Sequence, residues 1–239
     1  MKEAIYRDLA KYYDLIYHWK DYPKEANKIK NIIDKYKKSD WNLLLEIACG
    51  TWEHLKYFQN DFVCMWTDIN QWILDVAKSK LKKIDFKKVD MVNFDLKKKF
   101  DVILCLFSSI GYIKTYKNLE KTLKNFAMHI KNGGVVIIEP WFTKDSYKPG
   151  KPHMKVYDGD DLKISRLTVS QQKDNLSIMD MHYLIAEKNK KVKHFVDRHE
   201  MGLFDVDQTL EFMKKYWFKA KFLKNGLMKS RWLFVWVKK

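Results

Sequence analysis

The sequence predicts an α/β fold built on a doubly wound, mostly parallel seven-stranded sheet, with an antiparallel β insert after the fifth strand. Short apolar runs alternate with segments of helical periodicity as far as residue 148. Runs such as FDVILCLF at 100–107 are apolar at every position except Asp101, which is typical of parallel strands covered by helices on both faces. Beyond Pro149 and Gly150, long strand-like stretches follow one another between polar turns, which indicates the insert.

The elements can be placed in order. Two helices, at 3–19 and 23–37, precede the first strand, because their apolar residues recur at helical spacing on either side of the KDYP break. The helix before the fifth strand is expected to end in a glycine cap at 132–134. Core strands are predicted at 42–48, 62–67, 86–89, 100–107 and 135–141, with helices at 52–59, 70–80 and 116–131. Insert strands are predicted at 162–172, 176–187 and 192–204, followed by a helix at 206–216 and strands at 218–224 and 231–238.

The composition fits a single globular domain spanning 1–239. The hydrophobic fraction of 46% in 239 residues is enough for a full core. Within this domain, 1–40 form N-terminal helices that cover the site, 41–148 and 205–239 form the core, and 149–204 form the insert. The three cysteines have no C-x-x-C spacing, and no apolar run reaches membrane length. We therefore expect a cytoplasmic protein with reduced thiols, no metal site and no membrane partner.

The net charge of +16 does not by itself predict a nucleic-acid partner. Only four of the 46 basic residues are arginine, whereas proteins that read bases and phosphates rely heavily on arginine forks. The lysines are scattered in short groups along predicted helix faces and loops. We interpret them as a solvated surface and expect no nucleic acid as a partner.

The stretch LLLEIACGTWEH at 43–54 predicts the binding site. Its small-residue turn at Gly50 lies between an apolar strand and the start of a helix, where a ligand can approach the backbone closely. Asp68 ends the second strand, 18 residues later, placed to accept both hydroxyls of a ribose. Asp90 ends the third strand, where it could accept from an adenine amino group. Either carboxylate alone would be interpreted as a helix N-cap, but two at successive strand ends favour a nucleotide site.

Longer motifs indicate which protein family the chain resembles. The chain carries VDM-x-x-F-x-L-x-x-x-FDVILCLFSSIGYI-x-T at 89–115, GGVVIIEPWF at 133–142 and SR-x-LFV at 230–235. It also carries YDLIY, KDY and EA near the start, and SR-x-x-x-S, MHYLIAE, HF and GLF later. Almost from end to end it resembles the class I S-adenosylmethionine-dependent methyltransferases, which are Rossmann-like, and among them the dTDP-amino-sugar N,N-dimethyltransferases. FSSIGY and EPWF are the specific motifs, because the glycine turn recurs in many folds.

The resemblance implies a cofactor, a substrate and a set of site residues. S-adenosylmethionine would supply the methyl group, and the acceptor would be the amine of a nucleotide-linked (dTDP) amino sugar, bound with the help of the insert. The relatives imply a homodimer, by analogy. The positions that match donor contacts are Tyr13, Ala48, Gly50, Asp68, Asp90, Met91 and Leu106. The positions that match contacts to the nucleotide sugar and its amine are Tyr6, Tyr22, Tyr112, Trp141, Arg166 and Arg231.

Methylation of an amine needs a neutral nitrogen in line with the methyl group. Positioning is therefore the enzyme's main task, and it can be worth roughly 7 to 11 kcal/mol. We hypothesise that Tyr112 is the catalytic residue and orients the amine, since a phenol with a reference pKa of about 10 is a poor base at neutral pH. A Tyr112→Phe variant that methylates at the wild-type rate would contradict this role.

Six tryptophans stand where the family pattern has glycine. Glycine itself is scarce, with eight in 239 residues against a usual share of about 7%. We hypothesise that the source organism reads UGA as glycine and that the gene was translated with tryptophan at these positions; UGG codons there would contradict this. The alternative is a diverged protein with a remodelled pocket. The six residues are Trp19, Trp52, Trp66, Trp217, Trp232 and Trp236.

Three functions remain open at this level. The first is N-methylation of a nucleotide-linked amino sugar, with the sugar undefined because Gln172 stands where the family is expected to have arginine. The second is methylation of another small amine or hydroxyl compound. The third is a catalytically impaired fold relative whose donor pocket is blocked by Trp52, because an indole there would occupy space that the donor needs. Donor binding and a panel of dTDP-amino sugars would separate the three.

Overall fold

A seven-stranded sheet and a separate four-stranded sheet make up the protein. The computed structural model describes residues 10–51, 53–80, 85–216, 218–228 and 231–239. The strands are β1 Leu43–Ile47, β2 Val63–Asp68, β3 Asp85–Lys88, β4 Phe100–Cys105, β5 Ile130–Ile138, β6 Pro152–Asp158, β7 Leu162–Lys173, β8 Leu176–Glu187, β9 Lys193–Gly202, β10 Phe218–Leu223 and β11 Leu233–Lys238. The α-helices are α1 Tyr13–Ile16, α2 Tyr22–Tyr36, α3 Gln71–Lys80, α4 Tyr116–His129 and α5 Val206–Lys215.

The large sheet has the predicted doubly wound topology. Its strand order is β10-β11-β5-β4-β1-β2-β3. The five strands from β1 to β5 run parallel, whereas β11 runs antiparallel to both of its neighbours. The chain order reverses at β1, which lies between β4 and β2, so a crevice opens beyond the carboxyl ends of β1 and β4. The mostly parallel α/β fold is therefore confirmed.

Helices cover both faces of this sheet, as its mostly apolar strands predicted. On one face Ala26, Ile29 and Leu74 of α2 and α3 lie in one buried cluster. On the other face Phe126 and Met213 of α4 and α5 lie in a second cluster. Every residue of β4 is buried, because both of its faces meet helices.

The antiparallel insert is confirmed and has one strand more than predicted. Its order is β6-β7-β8-β9, and β6 lacks a regular apolar alternation because six of its seven residues are exposed. The inner face of the insert packs on the N-terminal segment. Tyr13 and Ile16 share a buried cluster with Ile164, Tyr183 and Ile185 of the insert. The start of the chain therefore connects the insert to the crevice.

Two predicted helix positions are wrong. Within 52–59 the described residues form only a single 3-10 turn, Leu55–Tyr57, because the chain turns at the buried Phe58, whose carbonyl accepts from the next turn's N–H groups. The glycine cap at 132–134 is also wrong, since α4 ends at His129 and β5 begins at once. Gly133 instead allows a close approach: a Cβ there would lie 3.0 Å from the backbone of residues 38 and 39.

The N-terminal helices agree only in part with the prediction. The helix expected at 23–37 is α2, but the described portion of 3–19 forms a 3-10 turn, Ala10–Tyr12, and the short α1. Residues 1–9 of that prediction lie outside the described residues. In the described ranges, no helix is long and apolar enough to cross a membrane.

The tryptophans at expected glycine positions have different environments. Trp66 and Trp236 are fully buried, and the Trp236 indole N–H has no acceptor among the described residues. A buried N–H without an acceptor costs about 1–3 kcal/mol. Trp19 is 40% exposed, and Trp232 stacks on Phe222. Trp52 and Trp217 lie outside the described residues. Recoding therefore stays a prediction.

Candidate active site

The turn after β1 is shaped to receive a ligand. Ala48 and Gly50 both have positive φ angles, 57° and 60°, a conformation that is uncommon for residues other than glycine and is often found at functional sites. Asp68, at the end of β2, fixes the turn because its Oδ2 accepts from the Gly50 N–H at 3.1 Å. The backbone of the turn therefore faces the crevice.

A cavity of about 450 Å³ lies at this turn, beyond the carboxyl ends of β1 and β4. Asp90, which was predicted to contact the donor, does not line it. The predicted substrate residues that do not line it are Trp141, Arg166 and Arg231. The sequence-predicted residues that do line it are Tyr13, Tyr22, Ala48, Gly50, Asp68, Met91, Leu106 and Tyr112. Tyr6 lies outside the described residues.

Two buried carboxyl groups, those of Glu46 and Asp68, line the cavity. Glu46, on β1, lines the cavity, and its Oε2 has no partner among the described residues. Burial, and then the charge of Asp68, hold the pKa of Glu46 well above its usual range. Burial also raises the pKa of Asp68, although backbone N–H groups, including that of Asn70, oppose the shift. Such a pair favours a cationic ligand. No role for Glu46 is predicted from the sequence alone.

The carboxylate of Asp90 has a local partner. Its Oδ1 accepts from the Val92 N–H at 2.9 Å, and the residue is exposed. This contact closes a local turn and is not the helix N-cap that the sequence also allowed, because among the described residues between β3 and β4 no helix begins. Its neighbour Met91 does line the cavity, so a role for Asp90 toward the donor stays a prediction.

A strained turn brings Tyr112 to the cavity. After β4, Phe107 and Ser108 have φ angles of 50° and 65°, and a 3-10 helix, Ser109–Ile113, follows at once. The buried Glu139 holds the turn, because its Oε2 accepts from the Phe107 N–H at 2.8 Å. Two left-handed residues other than glycine are costly, and here they reverse the chain so that Tyr112 faces the site.

A buried ionic network supports the wall beside Tyr22. Lys20 Nζ donates to both oxygens of Glu25 at 2.7 and 2.8 Å, and His54 Nε2 lies 2.7 Å from Glu25 Oε2. All three side chains are at least nine-tenths buried. His54 lines the cavity and meets the Tyr22 ring edge-on at 4.9 Å. The three residues lie in the sequence motifs KDY and EA and at the end of LLLEIACGTWEH, but nothing in these motifs connects them.

The protein is expected to lose stability as the pH falls, because of this network. Burial lowers the pKa of His54 below 6.5 despite the opposing effect of Glu25. Burial alone would raise the pKa of Glu25, but His54 and Lys20 together bring it below 4.5. In both cases the unfolded chain binds more protons than the folded chain, so stability is lost below pH 6.5 through His54 and below 4.5 through Glu25.

Urea unfolding of wild type and His54→Gln between about pH 7 and pH 5 would measure this dependence. The Gln variant keeps an N–H donor for Glu25 but cannot titrate, so its unfolding free energy should change less over that interval. Equal pH dependence of the two proteins would contradict the assignment.

The predicted substrate arginines do not line the cavity. The Arg231 guanidinium stacks on the Trp141 and Phe142 rings at 4.3 and 4.4 Å from their centroids. Its Nη1 is buried with no acceptor among the described residues, and burial lowers its pKa. Arg166 donates to the Tyr17 hydroxyl at 3.3 Å. Gln172 is exposed and donates to the Asp174 carbonyl.

Comparison with known proteins agrees with this geometry. A family model described as "Methyltransferase domain" matches residues 44–134, which contain the turn, Asp68 and Tyr112. The chain is 31% identical over 233 residues to the dTDP-3-amino-3,4,6-trideoxy-alpha-D-glucopyranose N,N-dimethyltransferase of Streptomyces venezuelae, covering 96% of this chain and 98% of that protein. It is 28% identical to the dTDP-4-amino-2,3,4,6-tetradeoxy-D-glucose N,N-dimethyltransferase of Saccharopolyspora spinosa, covering 97% and 93%.

A solved structure extends the similarity to the whole fold. The crystal structure of Streptomyces venezuelae DesVI matches with a TM-score of 0.91 at 31% identity, covering 97% of this chain and 99% of that one. The similarity therefore includes the insert as well as the core. The chain belongs to the family of class I S-adenosylmethionine-dependent methyltransferases that contains these dTDP-amino-sugar N,N-dimethyltransferases.

Proposed function

We propose that this chain transfers methyl groups from S-adenosylmethionine to the amino group of a dTDP-linked amino sugar. The observation that carries the proposal is the similarity to amino-sugar N,N-dimethyltransferases over 96% of the chain, because the substrate-binding parts of a methyltransferase vary more than its core. The relatives methylate amines at different sugar positions. The proposal therefore covers the class of sugar and leaves the position of the amine to experiment.

The residues around the cavity fit the methyl donor. S-adenosylmethionine, when bound, supplies an electrophilic methyl group on a cationic sulfur. The buried carboxyls of Glu46 and Asp68 suit its positive charge and its ribose hydroxyls. The turn at Gly50 leaves room for it, since among the described residues a Cβ there would meet only the Tyr13 hydroxyl, at 3.9 Å. Donor contacts are proposed for Tyr13, Ala48, Gly50, Asp68, Asp90, Met91 and Leu106.

The substrate is proposed to bind between the cavity and the insert. Tyr112 and Tyr22 line the cavity, where their hydroxyls can orient an amine. Arg231, with its unsatisfied Nη1, suits a phosphate oxygen. Trp141 holds that guanidinium by stacking, and Arg166 lies on β7 of the insert. Tyr6 completes the proposed set from outside the described residues.

A panel of dTDP-3-amino and dTDP-4-amino deoxysugars tests the function. Incubation with S-adenosylmethionine should add one and then two methyl groups to one member, as read by mass spectrometry. A sugar that carries a hydroxyl in place of the amine is the matched control and should stay unmodified. No methylation of any amine by a chain that binds the donor would overturn the proposal.

Trp52 is expected to weaken donor binding. Its sequence neighbours Thr51 and Glu53 both line the cavity, and the family pattern has glycine, the smallest residue, at position 52. We predict at least about tenfold tighter binding of S-adenosylhomocysteine to Trp52→Gly than to the unaltered chain, which corresponds to about 1.4 kcal/mol. Calorimetry would show it. Micromolar binding by the unaltered chain would remove the objection to its activity, and whichever form binds the donor serves as parent for the variants below.

The proposal also covers the domain organisation, the location and the oligomeric state of the protein. We propose that 1–239 act as one domain, with 1–40 covering the site, 41–148 and 205–239 forming the core, and 149–204 contributing to substrate binding. A cytoplasmic location fits a nucleotide-sugar substrate. A homodimer is supported by exposed apolar side chains on the insert, namely Met154, Val156, Leu167, Leu184 and Val196.

A further inference from the structure

A buried histidine and aspartate lie behind the Tyr112 hydroxyl. His199 Nδ1 lies 2.7 Å from Tyr112 Oη, and His199 Nε2 lies 2.8 Å from Asp197 Oδ2. Both side chains are almost completely buried, with 3% and 1% of their surface exposed. They belong to β9 of the insert, two residues apart and so on one face of the strand. The proposed function assigns them no role.

The arrangement fixes which ring nitrogen of His199 carries a proton. The Nε2–Oδ2 contact lacks the angle of a hydrogen bond. A carboxylate oxygen 2.8 Å from Nε2 nevertheless repels a lone pair there and attracts a proton, so Asp197 favours the tautomer with the proton on Nε2. Nδ1 then has a lone pair, and at 2.7 Å it accepts from the Tyr112 hydroxyl. The lone pairs of the phenol oxygen are left for a donor in the cavity that Tyr112 lines. The order Asp197, His199, Tyr112 thus leads from the buried insert to the cavity.

We propose that Asp197 and His199 are positioning residues that let Tyr112 pass the amine proton out of the cavity. The inference rests on the proposed function, because it needs an amine. As the N–C bond forms, the C–S bond breaks and its electron pair stays on sulfur, which leaves an ammonium. One N–H proton then moves to Tyr112 Oη as the Tyr112 O–H proton moves to His199 Nδ1. The nitrogen regains its lone pair, the phenol is restored, and the imidazolium, paired with Asp197, releases its proton when the product leaves.

This relay removes the difficulty that a phenol alone is a poor base. Imidazole accepts a proton readily near neutral pH, and a buried carboxylate stabilises the imidazolium. Removal of this proton matters most between the two methylations, because the monomethylammonium has no lone pair until it loses a proton. A relay is therefore expected to govern the second methylation in particular.

The variant His199→Asn separates the relay from simple packing. Its amide oxygen can still accept from Tyr112 but cannot take up a proton. We expect kcat for the monomethylated sugar to fall at least about tenfold, with KM and donor affinity nearly unchanged, so that monomethylated product accumulates. Asp197→Asn should give the same product ratio. The matched control is Arg198→Gln, between the two on the opposite face of β9, where Arg198 pairs with the exposed Asp180.

Two further measurements keep the test decisive. In a Tyr112→Phe background, His199→Asn should have no additional effect, because the two residues act in series. Nitrogen NMR of the histidine rings, which needs no substrate, should show the His199 proton on Nε2. A proton on Nδ1, or wild-type dimethylation by His199→Asn, would overturn the relay. If instead the parent methylates no amine while the NMR result holds, the proposed function fails and the tautomer assignment stands.

Discussion

Replacing Asp68 by asparagine is expected to weaken binding of S-adenosylhomocysteine by about 100-fold, the largest effect of any single change in the donor site. The carboxylate is buried and lines the cavity. Hydrogen bonds to charged groups are worth about 1.5–3 kcal/mol each, and the asparagine would lose the charge and one of the two accepting oxygens. Calorimetric titration with S-adenosylhomocysteine measures the change.

Stability separates this effect from misfolding. Because burial raises the pKa of Asp68 above its usual value, the unfolded chain loses this proton more readily than the folded chain, and stability attributable to Asp68 falls as the pH rises through that range. Removal of the charge therefore favours the asparagine variant at neutral pH. This offsets the loss of one of the two oxygens that accept from Gly50 and Asn70, so the variant should melt close to the wild-type temperature. Asp75→Asn on the exposed face of α3 is the matched control and should bind normally. Normal binding by Asp68→Asn would remove this residue from the donor site.

Replacing Glu25 by alanine is expected to lower the free energy of unfolding by about 3–5 kcal/mol. Glu25 is the shared partner of Lys20 and His54, at 2.7 Å from each, and the Lys20 side chain is fully buried. Its removal leaves a buried ammonium without a counter-ion, which is far more costly than the loss of an exposed pair. Chemical denaturation of the purified protein measures the difference.

A second variant distinguishes the lost ion pair from lost packing. In Lys20→Met combined with Glu25→Ala no uncompensated charge remains, so most of the stability should return. Glu120→Ala, which breaks the solvent-exposed pair with Lys215, should change stability little. If Glu25→Ala and Glu120→Ala were equally stable, the buried network would not stabilise the fold. The position of Tyr22 at the cavity would then need another explanation.

Local residue patterns were sufficient to predict the sheet and part of the site. Mostly apolar runs identify β1, β2, β4 and the later part of β5, because strands covered on both faces need apolar side chains at most positions. Strand ends then locate Asp68, since ligands of such sheets bind at the carboxyl ends of strands. The role of Asp90 could not be predicted in this way, because a carboxylate at a strand end suits both a local backbone contact and a ligand contact. In the structure it accepts from the Val92 N–H.

The sequence by itself determined the α/β class, the order of the core strands, the insert and the family, because periodicity and motifs are properties of neighbouring residues. Only the tertiary structure decided which distant side chains meet. Glu25 meets His54, and Tyr112 meets His199, only because elements far apart in the chain pack together, among them α2, which carries Glu25, and the insert, which carries His199. Contacts between residues far apart in the chain depend on how elements pack, and no local spacing records that. The buried ionic network and the relay behind Tyr112 therefore emerged only from the folded chain.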